Sequence, residues 1–225
     1  MTVVSKQKEL RITLAMMRQH LYAAVVCDAL DAMGLRHQSP RVQFGALTGV
    51  RKIVGRCKTT RWVEMTHDDP NTYEMELRAV DSCQSDDVII AAANGSMRSG
   101  IWGELLSTAA SNSGCVGAIV DGAVRDIEKM TAMKFGVFAK GTSPYDSMNR
   151  QRVVEYDVPV GIDGVRFNPG DLIIADIDGV VVVPAEVEEE AIRRAWEKVH
   201  AENVTRDAIK KGMKATAAYE KYGVL

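Results

Sequence analysis

Apolar residues recur at helical spacing near the start of the chain. Leu10, Leu14, Met17 and Leu21 share one face, which predicts an amphipathic helix over residues 5–20. Val26, Leu30 and Met33 repeat the pattern, so a second helix is expected from Ala23 to Met33, with Gly34 ending it. "SPRVQFGALTGV" is loop-like, and Lys52 to Val63 has the pattern of strands. Next comes an alternation. "DPNTYEMELRAVDS" is helical with Pro70 near its start, and "DDVIIAAA" is a buried β-branched strand. "GELLSTAASNSG" is a helix ending at Gly114, and "VGAIV" is the next strand. "DIEKMTAMKFG" is a short helix closed by Gly136, and "VFAKG" is a strand again. Strands alternating with helices mark an α/β core.

The character then changes. "VPVGIDGVRFNPGDLIIADIDGVVVVP" sets Asp-Gly and Gly-Asp turns between apolar runs, which predicts successive hairpins and an antiparallel part of the sheet. Beyond Pro184 the chain is helical to Gly212, with acids in the first turn, and a last helix spans Ala215 to Tyr222 before Gly223. No linker, repeat or low-complexity segment interrupts residues 1–225. A single domain is expected, with N-terminal helices over about 5–34 and a C-terminal helical extension over about 185–222.

Composition narrows the class. The chain has 225 residues, long enough for a sizeable core, and a formal net charge of -2 with mixed signs. No basic tract calls for nucleic acid, and no apolar run is long enough for a membrane. The N-terminus lacks the apolar core and cleavage site of a signal peptide, so a cytoplasmic protein is expected. Cys27, Cys57, Cys83 and Cys115 form no C-x-x-C pair and no zinc-ligand spacing, so they read as buried free thiols.

Two stretches carry candidate chemistry. In "SGIWGELLSTAA" a glycine precedes a helix, leaving the N–H groups of Gly103, Glu104, Leu105 and Leu106 open to an anion, unless the glycine serves close packing. In "AIVDGAVRD" the next strand ends at Asp121-Gly122, which reads as a turn, followed by Arg125-Asp126. If the strands are neighbours, both loops leave the same edge, where α/β sheets bind ligands. Arg125 can hold a carboxylate or keto oxygen and Asp126 a divalent cation; a surface ion pair or a helix cap by Asp126 is the plainer reading. "THDDP" reads as a polar loop, His20, His37 and His200 are isolated, and Asp171, Asp176 and Asp178 serve turns.

Taken together, "VVCDALDAMG", "WGELLSTAASNSGCVGAIVDGAVRD", "GVFAKGTSP" and "GVRFNPGDLIIADIDGVVVVP" resemble the RraA-like family, in order and from about residue 22 onward. That family includes the 4-hydroxy-4-methyl-2-oxoglutarate / 4-carboxy-4-hydroxy-2-oxoadipate aldolases and regulators of ribonuclease E activity. The resemblance implies a three-layered α/β fold, like that of phosphohistidine swivelling domains, with C-terminal helices. It also implies a homotrimer or homohexamer with active sites between subunits. Its aldolases use Mg²⁺ or Mn²⁺ and share an Asp, twenty residues, then Arg-Asp. Arg125-Asp126 match the second part, and Glu104 stands where the aldolases have Asp.

The resemblance further implies the chemistry. A 4-hydroxy-2-oxo acid is cleaved to pyruvate and a second 2-oxo acid, with oxaloacetate decarboxylation as a side activity. Asp126 is then the metal residue, Arg125 contacts the C2 oxygen, and the N–H groups of Gly103 to Leu106 hold the carboxylate. Glu104 moves a proton through a water, and Glu202 of a neighbouring subunit completes the site; an exposed helical acid is its plainer reading. No Schiff-base lysine is needed, so Lys129 and Lys140 have no catalytic role. Arg150 and Arg152, in or beside "SPYDSMNRQ", either meet an extra substrate carboxylate or are solvated. The alternatives are a non-catalytic regulator and a related lyase on a different acid. The C-terminal extension favours the aldolase branch.

Overall fold

The computed structural model describes residues 11–224. Two N-terminal helices, α1 (Leu14–His20) and α2 (Ala23–Ala32), lead to a two-residue strand β1 (Gly45–Ala46) and the long strand β2 (Lys52–Glu64). The alternating core follows: α3 (Glu74–Asp81), β3 (Asp87–Gly100), α4 (Glu104–Asn112), β4 (Gly117–Val124), α5 (Ile127–Ala132) and β5 (Gly136–Thr142). Then come β6 (Gln151–Tyr156), β7 (Val160–Ile162), β8 (Val165–Phe167), β9 (Leu172–Asp176) and β10 (Gly179–Val183). The long helix α6 (Glu188–Lys210) and α7 (Ala215–Tyr222) close the chain.

Eight strands form one curled sheet in the order β1-β5-β4-β3-β2-β9-β10, with β6 pairing the far part of β2. Strands β2 to β5 are parallel, and β9 and β10 add antiparallel pairs. Period-2 alternation sends every second residue to each face. Ile89, Ala91 and Ala93 of β3 pack outward with Ala110 of α4 and Met130 of α5. Val88, Ile90 and Ala92 face inward, where Ile119, Phe138 and Ile173 meet Val160, Ile162 and Phe167 of the β7–β8 hairpin. At the other end of the sheet, α1, α2 and α6 cover Val54, Leu172, Ile174, Val181 and Val183. Helices, sheet and inner hairpin are the layers of the expected α/β architecture.

The hairpins stand where the turn residues put them. Asp163 and Gly164 join β7 to β8 with φ of 49° and 78°, the left-handed pair that a tight hairpin needs. The ends of α2 and α7 also match, with Gly34 and Gly223 at φ of 84° and 73°. Three of the four cysteines are buried, Cys27 is half-buried, and all are free thiols.

Two expectations change and one strand is added. The first helix starts at Leu14, because Thr13 takes the cap and its hydroxyl accepts the Met16 N–H; the start expected near residue 5 lies outside the described residues. The segment Gln151–Tyr156, to which the sequence pattern assigned no element, is strand β6. Asp121-Gly122 is not a turn. Both residues lie inside β4, which is buried along its whole length. Asp121 is tolerated there because Lys140 pairs with it at 2.7 Å and the Gly95 N–H donates to it at 3.1 Å. Gly122 is required there because a Cβ would stand 2.8 Å from the Ser96 carbonyl oxygen.

Candidate active site

The candidate residues gather where β3, β4 and β5 release the chain at their carboxyl ends. Two backbone bonds stitch the exits together: Ile101 N–H donates to Ala123 at 3.0 Å, and Arg125 N–H donates to Trp102 at 2.9 Å. Trp102 is buried, stacks on Phe135, and donates its indole N–H to Ser107 at 2.8 Å. The loops leaving β3 and β4 are therefore one packed unit, and Gly103 and Arg125-Asp126 meet across it.

Gly103 precedes α4 without any side-chain cap. Asp126 precedes α5 in the left-handed region, at φ 59° and ψ 35°, and makes no cap bond to its own helix. Asp is among the few side chains that adopt this conformation readily. Its carboxylate is turned instead to α4, where Oδ2 accepts the Glu104 N–H at 3.2 Å. The helix-cap reading of Asp126 is thus replaced by a bridge between two helix starts. The N–H groups of Gly103, Leu105 and Leu106 meet no protein acceptor among the described residues. They keep the partial positive charge of a helix N-terminus.

Arg125 is held from the side. Its Nη2 lies 2.5 Å from Asp146 Oδ2, and its Nε lies 3.9 Å from Asp126 Oδ2. Asp146, in the segment after β5, also accepts the Tyr73 hydroxyl and the Met148 N–H on its Oδ1. Burial works against a charged Asp146, but those hydrogen bonds and the Arg125 charge outweigh it and hold the carboxyl below its ordinary range. Tyr73 is pushed up to about 12 by burial and by the Asp146 bond. Behind them lies Glu76 of α3, only 6% exposed, with no hydrogen-bond partner for Oε2. Burial and the Asp146 charge push its carboxyl up to about 8, against the pull of Arg125.

The remaining candidates are placed as follows. Glu104 reaches sideways, and its carboxylate pairs with Lys129 at 2.8 Å. Glu202, on α6, is not an exposed acid: its side chain is 15% exposed and accepts the Tyr22 hydroxyl. Within the chain it has no contact with Arg125, Asp126 or Glu104, because α6 covers the other end of the sheet. Arg152 pairs with Asp69, and Arg150 stacks over Tyr145 with 5.0 Å to the ring centre, so neither is free in solvent. Asp171 and Asp176 accept the N–H groups of Asn168 and Asp178 at turns, as expected, and also those of Ala185 and Ala23 at helix starts.

Sequence reasoning did not single out Tyr73, Glu76 or Asp146. One signal was present: Glu76, Ala79 and Val80 form the buried stripe of α3, and Glu76 is an acid on that stripe. Among the described residues, no three His, Cys, Asp or Glu side chains converge as a ligand cage, and no helix is long and apolar enough to cross a membrane.

A family model described as RraA-like, Aldolase/RraA, matches residues 23–182. A protein of Halalkalibacterium halodurans, provisionally named 4-hydroxy-4-methyl-2-oxoglutarate aldolase, is 34% identical over 86% of this chain and 87% of its own length. Protein DlpA of Legionella pneumophila is 29% identical over 89% of this chain, which spans only 32% of DlpA. Among solved structures, Streptomyces coelicolor RraAS2, described as an unusual member of the RNase ES inhibitor RraA family, superposes with a TM-score of 0.74. It is 27% identical and covers 88% of this chain and 98% of its own.

Proposed function

The chain belongs to the RraA-like family, and from that premise we propose that it is a divalent-metal-dependent lyase. It cleaves a 4-hydroxy-2-oxo di- or tricarboxylic acid to pyruvate and a second 2-oxo acid, and decarboxylates oxaloacetate on the side. The carrying observation is the convergence of Arg125 and the Asp126 carboxylate on the open N-terminus of α4. An anion-binding helix end, a cation and a carboxylate lie within one loop pair. These are the groups needed to hold an α-keto acid and stabilise its enolate.

The chain's donors suit Mg²⁺ or Mn²⁺. Such ions need one or two protein carboxylates and take their other ligands from water and substrate. Asp126 has Oδ1 free of hydrogen bonds among the described residues, and Glu104, whose N–H donates to its Oδ2, opens α4 beside it. When bound there, the cation would supply the electron sink for charge on the C2 oxygen.

The residues themselves do the following. Free N–H groups of Gly103, Leu105 and Leu106 bind the pyruvyl carboxylate. The Arg125 guanidinium donates to the C2 oxygen as negative charge grows there. Glu104, freed from Lys129, exchanges a proton through a water with the C4 hydroxyl or the enolate carbon. In a homotrimer or homohexamer, Glu202 of the partner subunit closes this water network.

The test is pyruvate release. 4-Hydroxy-4-methyl-2-oxoglutarate, its carboxy-oxoadipate relative and oxaloacetate are each supplied with Mg²⁺ or Mn²⁺, then with EDTA. Release from at least one of them, abolished by EDTA, is expected; no release from any would leave the regulator reading. Glu104→Gln is expected to lower kcat at least roughly tenfold, as loss of a positioned acid or base does, whereas Glu104→Asp retains most activity. Equal activity in both variants would remove Glu104 from the mechanism.

A further inference from the structure

Behind Arg125 lies a polar cluster that the proposed reaction does not use. Tyr73 and Glu76 come from the start of α3, and Asp146 from the segment after β5. Asp146 takes one edge of the guanidinium through Nη2, and Nε faces Asp126. Nη1 donates to no acceptor among the described residues, so one edge of Arg125 stays open. Tyr73 keeps Asp146 from swinging, since both Asp146 Oδ1 and the phenol are committed to their bond.

Glu76 is the unusual member. A buried carboxylate without a partner is too costly to remain ionised, so such a group keeps its proton. Its Oε2 is buried and unpartnered, and the charges that face it are Asp146 and Arg125. The other ionisable groups on the elements packed against it are paired elsewhere or exposed, and Tyr156 of β6 lies beneath the Lys58 ammonium. Arg152 and Glu155 of β6 pair with Asp69 and Arg61, and Glu104 of α4 pairs with Lys129. On α3 itself Glu74 pairs with Arg78, and Asp81 is exposed.

We propose that Tyr73, Glu76 and Asp146 are positioning residues for Arg125: Asp146 and Tyr73 aim the guanidinium, and Glu76, as the uncharged acid, keeps the Arg125–Asp146 pair neutral so that its open edge donates to the C2 oxygen of an anionic α-keto acid. If Glu76 ionises, the pair gains a second negative neighbour and the open edge repels anions. The proposal rests on the α-keto-acid reading above and names what sets the strength and pH range of that binding. The direction of the Glu76 carboxyl agrees with it, because its proton is held until about pH 8.

The experiment measures oxalate, a planar dianion resembling the pyruvate enolate, by calorimetry with Mg²⁺ from pH 6.5 to 9.5. Wild type is expected to lose about tenfold in affinity as Glu76 ionises, the scale of one pKa unit of coupling. Glu76→Gln should bind with a flat profile over the same range. Tyr73→Phe should bind about fivefold more weakly at every pH, with the wild-type profile shape retained. Thermal melts give an independent reading of the Glu76 proton. A carboxyl raised in the folded state stabilises fully below its unfolded value, and that stability is lost as pH rises towards about 8. The wild-type Tm should therefore fall over that window more than that of Glu76→Gln. If Glu76→Gln keeps the wild-type oxalate profile, or wild type is flat, the proposal fails while the lyase reading stands. If oxalate binds to no variant at any pH and no pyruvate is released, both fail.

Discussion

Arg125→Ala is expected to lower kcat for pyruvate release by about 10²–10³, the scale of losing one preorganised oxyanion donor. The protein should stay folded. The Arg125 side chain is 34% exposed and its ion pair with Asp146 has a similarly exposed partner, so loss of the pair should cost no more than about 1 kcal/mol. Arg125→Lys separates the two jobs of the residue. Lysine keeps the charge but not the fork, and it cannot hold Asp146 with one edge and a keto oxygen with another. Its kcat should therefore recover only a small part of the loss. Steady-state kinetics on the best substrate from the pyruvate screen checks both variants. Full activity in Arg125→Ala would remove the site from this loop pair, whatever the enzyme's reaction.

That prediction was half legible before the structure. Arg125-Asp126 follow a recognisable strand and open a recognisable helix, and the carboxyl edge of a parallel sheet is a general place for ligands. Local residue types also disclosed the β7–β8 hairpin, since Asp163-Gly164 is a turn for reasons contained in two residues. Asp121-Gly122 is the same dipeptide and means something else. Its acid is satisfied by Lys140 and Gly95, both distant in sequence, and its glycine is needed against the Ser96 carbonyl. Turn chemistry is local, but the partner that lets an acid lie inside a strand is not. The same limit hid the cluster behind Arg125. Tyr73 and Asp146 are 73 residues apart and meet only because α3 packs beside the exits of the parallel strands. Glu202 was visible as a helical acid, but its bond to Tyr22 spans 180 residues and depends on α2 packing against α6.

Gly103→Ala is the sharper test of the geometry, because it adds one methyl and removes no functional group. Gly103 has φ of -156°, extended backbone that alanine adopts without strain, so the backbone is not the reason for glycine. Space is the reason. A Cβ would stand 2.6 Å from Asp126 Oδ2 and 3.2 Å from Arg125 Cγ. The carboxylate must leave the Glu104 N–H, and the arginine stem must yield with it. Displacements of about 1 Å at reacting groups cost on the order of 10² in rate, and that loss in kcat/KM is expected here. The fold should lose only about 1 kcal/mol, the difference between glycine and alanine at a helix cap, or roughly 2–4 °C in Tm for a chain of this size. Raising Mg²⁺ or Mn²⁺ then distinguishes two causes. Recovery at high metal would mean that the displaced Asp126 carboxylate is the group that mattered. Persistent loss with weakened oxalate binding would mean that the methyl blocks the helix N–H groups. Wild-type kinetics with unchanged oxalate affinity would contradict both, and with them the assignment of a ligand to the space between Gly103 and Asp126.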